Sequence, residues 1–237
     1  MPSEKISADA LNKALLSELA RGVQKTFENA EELFKEACLL KKIGALSRVL
    51  FLHQISLEEC AKIEILGAYA TSLLMGNKVN LKKLRSVLLS HNRKNRTNAY
   101  FLPVSAEEEA ARQRGDFKDA VTIFSQIQTE FHSKSNVAKN ASLYVDFKDG
   151  KFVAPRECIT PEMVGEIASL NDRYLGLMYP KLKMLLKWEK APDETYETLV
   201  QFEKRFNELM SDLPDDPLRA METLMQEMFE TEQVKRK

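Results

Sequence analysis

Apolar residues recur every three or four positions over long stretches of the chain, the spacing that predicts amphipathic helices. Ser7 is placed to cap a first helix running to about Gly22. A second helix is predicted over 24–43, with Phe27, Ala30, Phe34, Ala37 and Ile43 near one face and Gly44 as its stop. A third is predicted over 45–75, about 45 Å of helix, and ends at Gly76-Asn77. Asn80 caps a fourth, which reaches Leu102 and stops before Pro103. Ser105 and Glu108 form the capping box of a fifth, which bends at Gly115-Asp116 and continues to about Lys139.

The period then changes. Residues 142–154, with a Lys148-Asp149-Gly150 turn at their centre, read as one short β-hairpin, and Pro155 breaks the chain. Thr160-Pro161 places a cap and an N1 proline at the head of a sixth helix reaching about Lys190. Asp193 and Asp216-Pro217 open two more, the last carrying Met221, Met225 and Met228 and ending in Lys235-Arg236-Lys237. The expected fold is all-α: an antiparallel bundle over 1–190 with one hairpin, followed by a helical hairpin over 191–237.

Composition narrows the classes. Only 8 glycines and 8 prolines in 237 residues argue against an all-β or disordered chain, and 44% hydrophobic content supports a sizeable core. Lys+Arg and Asp+Glu both number 35, so no global basic field gathers nucleic acid, and any such contact must be local. Cys38, Cys60 and Cys158 are odd in number and far apart, and His53, His91 and His132 lack metal-ligand spacing. No stretch has the length of a signal peptide or a membrane span. The expectation is a reduced, cytoplasmic protein with no cofactor, no structural metal and no membrane association.

Two helices have apolar stripes interrupted by polar groups. On the third, one face reads Leu52, Ile55, Glu59, Lys62, Leu66, Tyr69, Leu73. On the fourth it reads Leu81, Leu84, Leu88, His91, Asn95, Asn98, Leu102, with Lys94 beside it. A buried polar group without a partner costs about 1–3 kcal/mol, so the interruption needs a reason. One is an interior network, with Glu59 bonded to Lys62 and His91 to Asn95. The other is a cleft in which a ligand meets these groups. Glu58 and Lys94, flanking the stripes, are solvated charges in the first reading and site residues in the second.

If the two patches face each other, the site holds one imidazole, one or two carboxylates, two lysines and two amides. Imidazole gains and loses a proton near neutrality, which makes His91 the candidate general acid or base. Lys62 and Lys94 could neutralise a phosphate and the amides orient it. This set suits cleavage of RNA by its own ribose 2′-OH, without a metal. Carboxylates this few, beside ammonium groups, suit a metal hydrolase poorly, and no Gly-rich phosphate loop is present. Arg85 lies six residues before His91, about 120° around a straight helix, so the two share a site only where the helix starts late or bends.

Three segments, in order, resemble the AbiV family of bacterial abortive-infection proteins within the wider HEPN group. Ala37, Leu40 and Gly44 precede Ser56-Leu57-Glu58-Glu59-Cys60-Ala61-Lys62, similar to the family's Glu-Glu-x-x-Lys. Ser90-His91-Asn92-Arg93-Lys94 resembles its His-x-x-Lys, and Leu143-Tyr144-Val145-Asp146 followed by Pro155 resembles its hairpin. The likeness covers about residues 25–175. It implies a HEPN-like helical bundle, a role in defence against bacteriophage, a homodimer, and metal-independent ribonuclease activity of the Arg-x(4–6)-His kind. Arg85 and His91 fit that count, although a serine follows the arginine. The resemblance gives His91 the acid–base role and Lys94 a phosphate contact, with Glu59 and Lys62 orienting them. Glu58, Arg85, Asn95 and Asn98 would bind substrate, Tyr144 and Asp146 would close the site from the hairpin, and Lys139 is a lesser candidate. A different class stays open: a non-catalytic protein that binds a phage protein or a host translation component through its Met-rich C-terminal helices.

Overall fold

The computed structural model describes residues 8–213 together with 219–221, 223–224 and 226–227. The expected cap at Ser7, the Asp216-Pro217 helix start, Met225, Met228 and the basic C-terminus lie outside them.

The first two predicted helices are one: α1 spans Ala8–Lys42. Gly22 does not break it, because Leu16, Leu19, Val23, Phe27, Ala30 and Ala37 form one continuous buried stripe. A Cβ built on Gly22 would meet Leu66 Cδ1 at 3.6 Å, so this glycine lies against the neighbouring helix. Burial of that stripe outweighs the roughly 1 kcal/mol that glycine costs a helix interior. Gly44 does end the run, with φ +72°.

The central helix, α2 (Leu46–Leu74), packs against α1, α8 and α4, and fifteen of its 29 residues are buried. Among them are five polar side chains: His53, Gln54, Ser56, Glu58 and Glu59. Ser56 donates to the Ala30 carbonyl at 2.7 Å, and Asn171 bridges Ser56 and His53 at 3.1 Å each.

The predicted fourth helix is two. α3 (Leu81–Leu89), capped by Asn80, stops at Ser90, whose extended backbone (φ −80°, ψ 109°) starts α4 (His91–Asn98). Ser90 Oγ accepts from Arg93 N at 3.3 Å, so the serine serves as an N-cap in mid-segment. A 3-10 turn, Ala99–Phe101, completes the segment.

Ser105 caps α5 (Ala106–Gln113), and Gly115 at φ +74° separates it from α6 (Phe117–Leu143). Because α6 runs to Leu143, the hairpin is shorter than expected: β1 is Asp146–Lys148 and β2 is Lys151–Val153. Asp146 pairs with Val153 across a turn in which Asp149 and Gly150 both have positive φ. A short α7 (Pro155–Cys158) precedes α8 (Pro161–Lys190), which gives Tyr174, Met178, Leu182 and Leu185 to the core. The expected all-helical class with one small hairpin is what is found.

The chain divides into two compact units, Met1–Pro103 with Phe124–Lys190 and Val104–Ile123 with Ala191–Lys237. The first holds the core just described. The second contains α9 (Pro192–Asp212), and Phe202, Phe206 and Met210 pack there around Leu209, Ala220 and Leu224. Met221 of the expected methionine stripe is exposed. Among the described residues, no helix is long and apolar enough to cross a membrane.

Candidate functional site

Polar groups from three helices of the first unit converge on one carboxylate, and it is that of Glu58. Only 1% of this residue is exposed. Its Oε2 accepts from His91 Nδ1 at 2.6 Å and from Lys94 Nζ at 2.7 Å, and its Oε1 accepts from Lys139 Nζ at 3.0 Å. α2 supplies the carboxylate, α4 the imidazole and one lysine, and α6 the other lysine. His91 and Lys94, three residues apart, face the same way from the first turn of α4. The Ser90 cap fixes where that turn begins.

Burial alone would raise the Glu58 carboxyl. The hydrogen bond and charge of Lys94, with the bonds from Lys139 and His91, outweigh it and hold the group below its ordinary value. Glu58 is therefore a carboxylate at neutral pH. Two ammonium groups, on residues only 5% and 7% exposed, face this single negative charge. One positive charge is left over. Glu58 and Lys94 are not solvated, and Lys94, expected to meet a phosphate, is turned inward.

His91 differs from its partners because 53% of its side chain is exposed. With Nδ1 committed to the carboxylate, the neutral ring keeps Nε2 as its acceptor. The arrangement is a carboxylate-oriented imidazole whose carboxylate is inside and whose ring reaches the surface. A base oriented in this way can take a proton from a bound hydroxyl.

The remaining expected residues divide. Asn95 and Asn98 are buried on α4. Asn95 lies 3.3 Å from His132 Nδ1, and Asn98 donates to the Leu57 carbonyl at 2.7 Å. The expected His91–Asn95 bond is thus replaced by His91–Glu58 and Asn95–His132. Glu59 and Lys62 pair with each other at 2.5 Å, as the network reading expected. They are apart from the Glu58 cluster because one residue turns a helix by about 100°. Arg85 is exposed on α3, and the break at Ser90 intervenes between it and His91. Tyr144 and Asp146 are exposed and line a separate cleft of about 530 Å³ with Val137, Asn140 and Lys148. Asp146 caps its own strand by accepting from Phe147 N at 2.8 Å.

Sequence reasoning ranked Lys139 too low and passed over His132. Both belong to a stripe on α6, Gln128, His132, Ser135, Lys139 and Ser142, in alternating steps of four and three. All but His132 are buried. The construction applied to the third and fourth predicted helices would have found it on the fifth. Among the described residues, no cluster of three or more His, Cys, Asp or Glu side chains is placed to hold a metal.

Comparison with known proteins adds the family. A family model described as AbiV matches residues 18–176, a span that contains the whole Glu58 cluster. The chain is also similar to a protein described as "Uncharacterized protein y4gJ" from Sinorhizobium fredii, with 40% identity over 124 residues. That alignment covers 52% of this chain and 65% of the relative, so the chain spans just under two thirds of that relative's length. No solved structure matches the chain.

Proposed function

The chain belongs to the AbiV family of HEPN-like proteins, and from that premise we propose that it is an abortive-infection effector of anti-phage defence, a cytoplasmic endoribonuclease whose reaction needs no metal. The observation that carries the reading is the Glu58–His91 pair: a buried carboxylate 2.6 Å from the Nδ1 of a half-exposed imidazole.

The chemistry follows from the proton positions. Nδ1–H donates to Glu58, and Nε2 accepts the proton of a ribose 2′-OH. The 2′-oxygen forms its bond to the adjacent phosphorus, the bond from phosphorus to the 5′-oxygen breaks, and the proton held on Nε2 is relayed through a water at the open face to that oxygen, which restores the neutral ring. The products are a 2′,3′-cyclic phosphate and a 5′-hydroxyl. Lys94 and Lys139 keep Glu58 ionised, and the surplus positive charge beside it attracts the phosphate. The donor set suits this route better than metal-assisted hydrolysis, because the one carboxylate of the cluster is already occupied by two ammonium groups.

The depth of Glu58 favours a second reading, in which the cluster is a structural network and the protein acts by sequestering a phage protein or a host translation component. Expression of wild type and His91→Ala in a bacterial host, with and without phage, separates the two. The first reading expects protection and new RNA ends that both vanish in the variant. Protection that survives His91→Ala contradicts it, and protection without new RNA ends supports sequestration. A homodimer is the expected assembly, and gel filtration with light scattering reads it.

A further inference from the structure

Between Glu64 and Glu107 the chain carries seven lysines and arginines and no carboxylate, within a protein of zero net charge. α4 lies inside this segment, and its outer side is organised. Arg93, Arg96 and Tyr100 stand at i, i+3 and i+7, one stripe running from α4 into the 3-10 turn. Arg93 is exposed. Arg96 is held in place, donating through Nη2 to Gln128 Oε1 at 3.2 Å, while Gln128 Nε2 donates back to the Arg96 carbonyl at 3.2 Å.

Tyr100 is 68% exposed, a large aromatic surface left in water. It does not hang free: the Phe124 ring lies 4.9 Å away, tilted by 51°, and supports one side of it. The stripe extends about 11 Å along the helix, on the side of α4 away from His91, so a strand lying on it reaches the imidazole by passing around the first turn of α4.

We propose that the Arg93–Arg96–Tyr100 stripe is a nucleotide subsite, in which the arginines take backbone phosphates of an unpaired RNA strand and Tyr100 stacks one of its bases. The inference rests on the reading of His91 as an RNA-cleaving base and adds how the strand is held. Arginine beside an exposed aromatic ring is the pairing that recognises single strands, since every unpaired base has a face to stack and every phosphate a charge to pair. A duplex hides its base faces, so the stripe selects unpaired RNA.

The test uses the full chain carrying His91→Ala, so that RNA is bound and not consumed. Fluorescence anisotropy follows a labelled oligouridylate of about twelve nucleotides, alone or annealed to its complement. Tyr100→Ala is expected to weaken binding of the single strand roughly five- to a hundredfold without changing its salt dependence. Tyr100→Trp is expected to restore it. Arg93→Ala is expected to weaken binding and to lower the slope of log affinity against log salt by about 0.7. Both residues are exposed, so the variants keep the fold, which circular dichroism checks. Equal binding of the duplex, affinity indifferent to Tyr100, or no binding of the single strand each overturns the subsite. If wild type cleaves RNA while Tyr100→Ala binds unchanged, the subsite fails and the His91 chemistry stands. If the stripe binds RNA that wild type never cleaves, the chemistry fails and the subsite stands.

Discussion

Glu58 and His91 meet at 2.6 Å from opposite environments, the carboxylate sealed within the bundle and the imidazole half open to water. Such a pair divides its work. The inner member is fixed by Lys94 and Lys139, and the outer member inherits that position and meets whatever approaches.

Charge balance at the cluster predicts an order of stabilities. Glu58→Gln leaves two buried ammonium groups without a counter-charge and is expected to cost about 3–5 kcal/mol. Lys139→Met removes the surplus cation and leaves Glu58 and Lys94 paired one to one, so its cost is the lost bond to Glu58 Oε1 alone, about 1–3 kcal/mol and smaller than that of Glu58→Gln. Urea denaturation midpoints of the two variants check this. A larger loss from Lys139→Met than from Glu58→Gln would mean that the cluster carries no excess positive charge.

The Ser90 cap sets the first turn of α4. Ser90→Ala is expected to lower stability by about 1 kcal/mol. Because His91 is the first residue of that turn, RNA cleavage is expected to fall by more than the change in stability explains. Activity under conditions where the variant is fully folded makes the distinction.

Gly22→Ala is expected to stabilise the protein by up to about 1 kcal/mol. The new Cβ would sit in ordinary contact with Leu66 at 3.6 Å, and alanine favours the helix. A lower thermal midpoint would show that α1 and α2 approach too closely there for a methyl group.

Acid sensitivity follows from His53, whose pKa is lowered to about 4 by burial, with repulsion from Lys41 adding to it. Unfolded, the ring titrates near 6.5. Between these values the unfolded chain binds more protons, so stability rises with pH in that window. Acidification from 6.5 to 4 is expected to remove up to about 3 kcal/mol. Glu58, held below its ordinary value, adds a further loss as pH falls through its lowered folded pKa. Titration of the His53 ring by NMR reads the first effect directly, and a midpoint above 6 would contradict it.

The helical class, the hairpin and the caps at Asn80 and Ser105 were legible because each rests on local chemistry: periodicity, a turn dipeptide, a side chain that accepts from a nearby N–H. Gly22 misled because its effect depends on what lies opposite, and tertiary burial overrode a local propensity. His91 stood out in the sequence, but its expected bond was to Asn95 and the carboxylate expected to orient it was Glu59, one residue from the Glu58 that does. α2 is buried on both sides, so its pattern has no single polar face, and Glu58 and Glu59 look alike until the neighbouring helices are placed. Lys139, far along the chain, joins the cluster only when α6 packs back against α2.

The most direct measurement of the central claim is the chemistry of RNA ends left by the purified protein in the presence of a chelator. Wild type is expected to leave 2′,3′-cyclic phosphates and 5′-hydroxyls, and His91→Ala none. Intact RNA with folded wild-type protein, or the same cuts from His91→Ala, would contradict the claim.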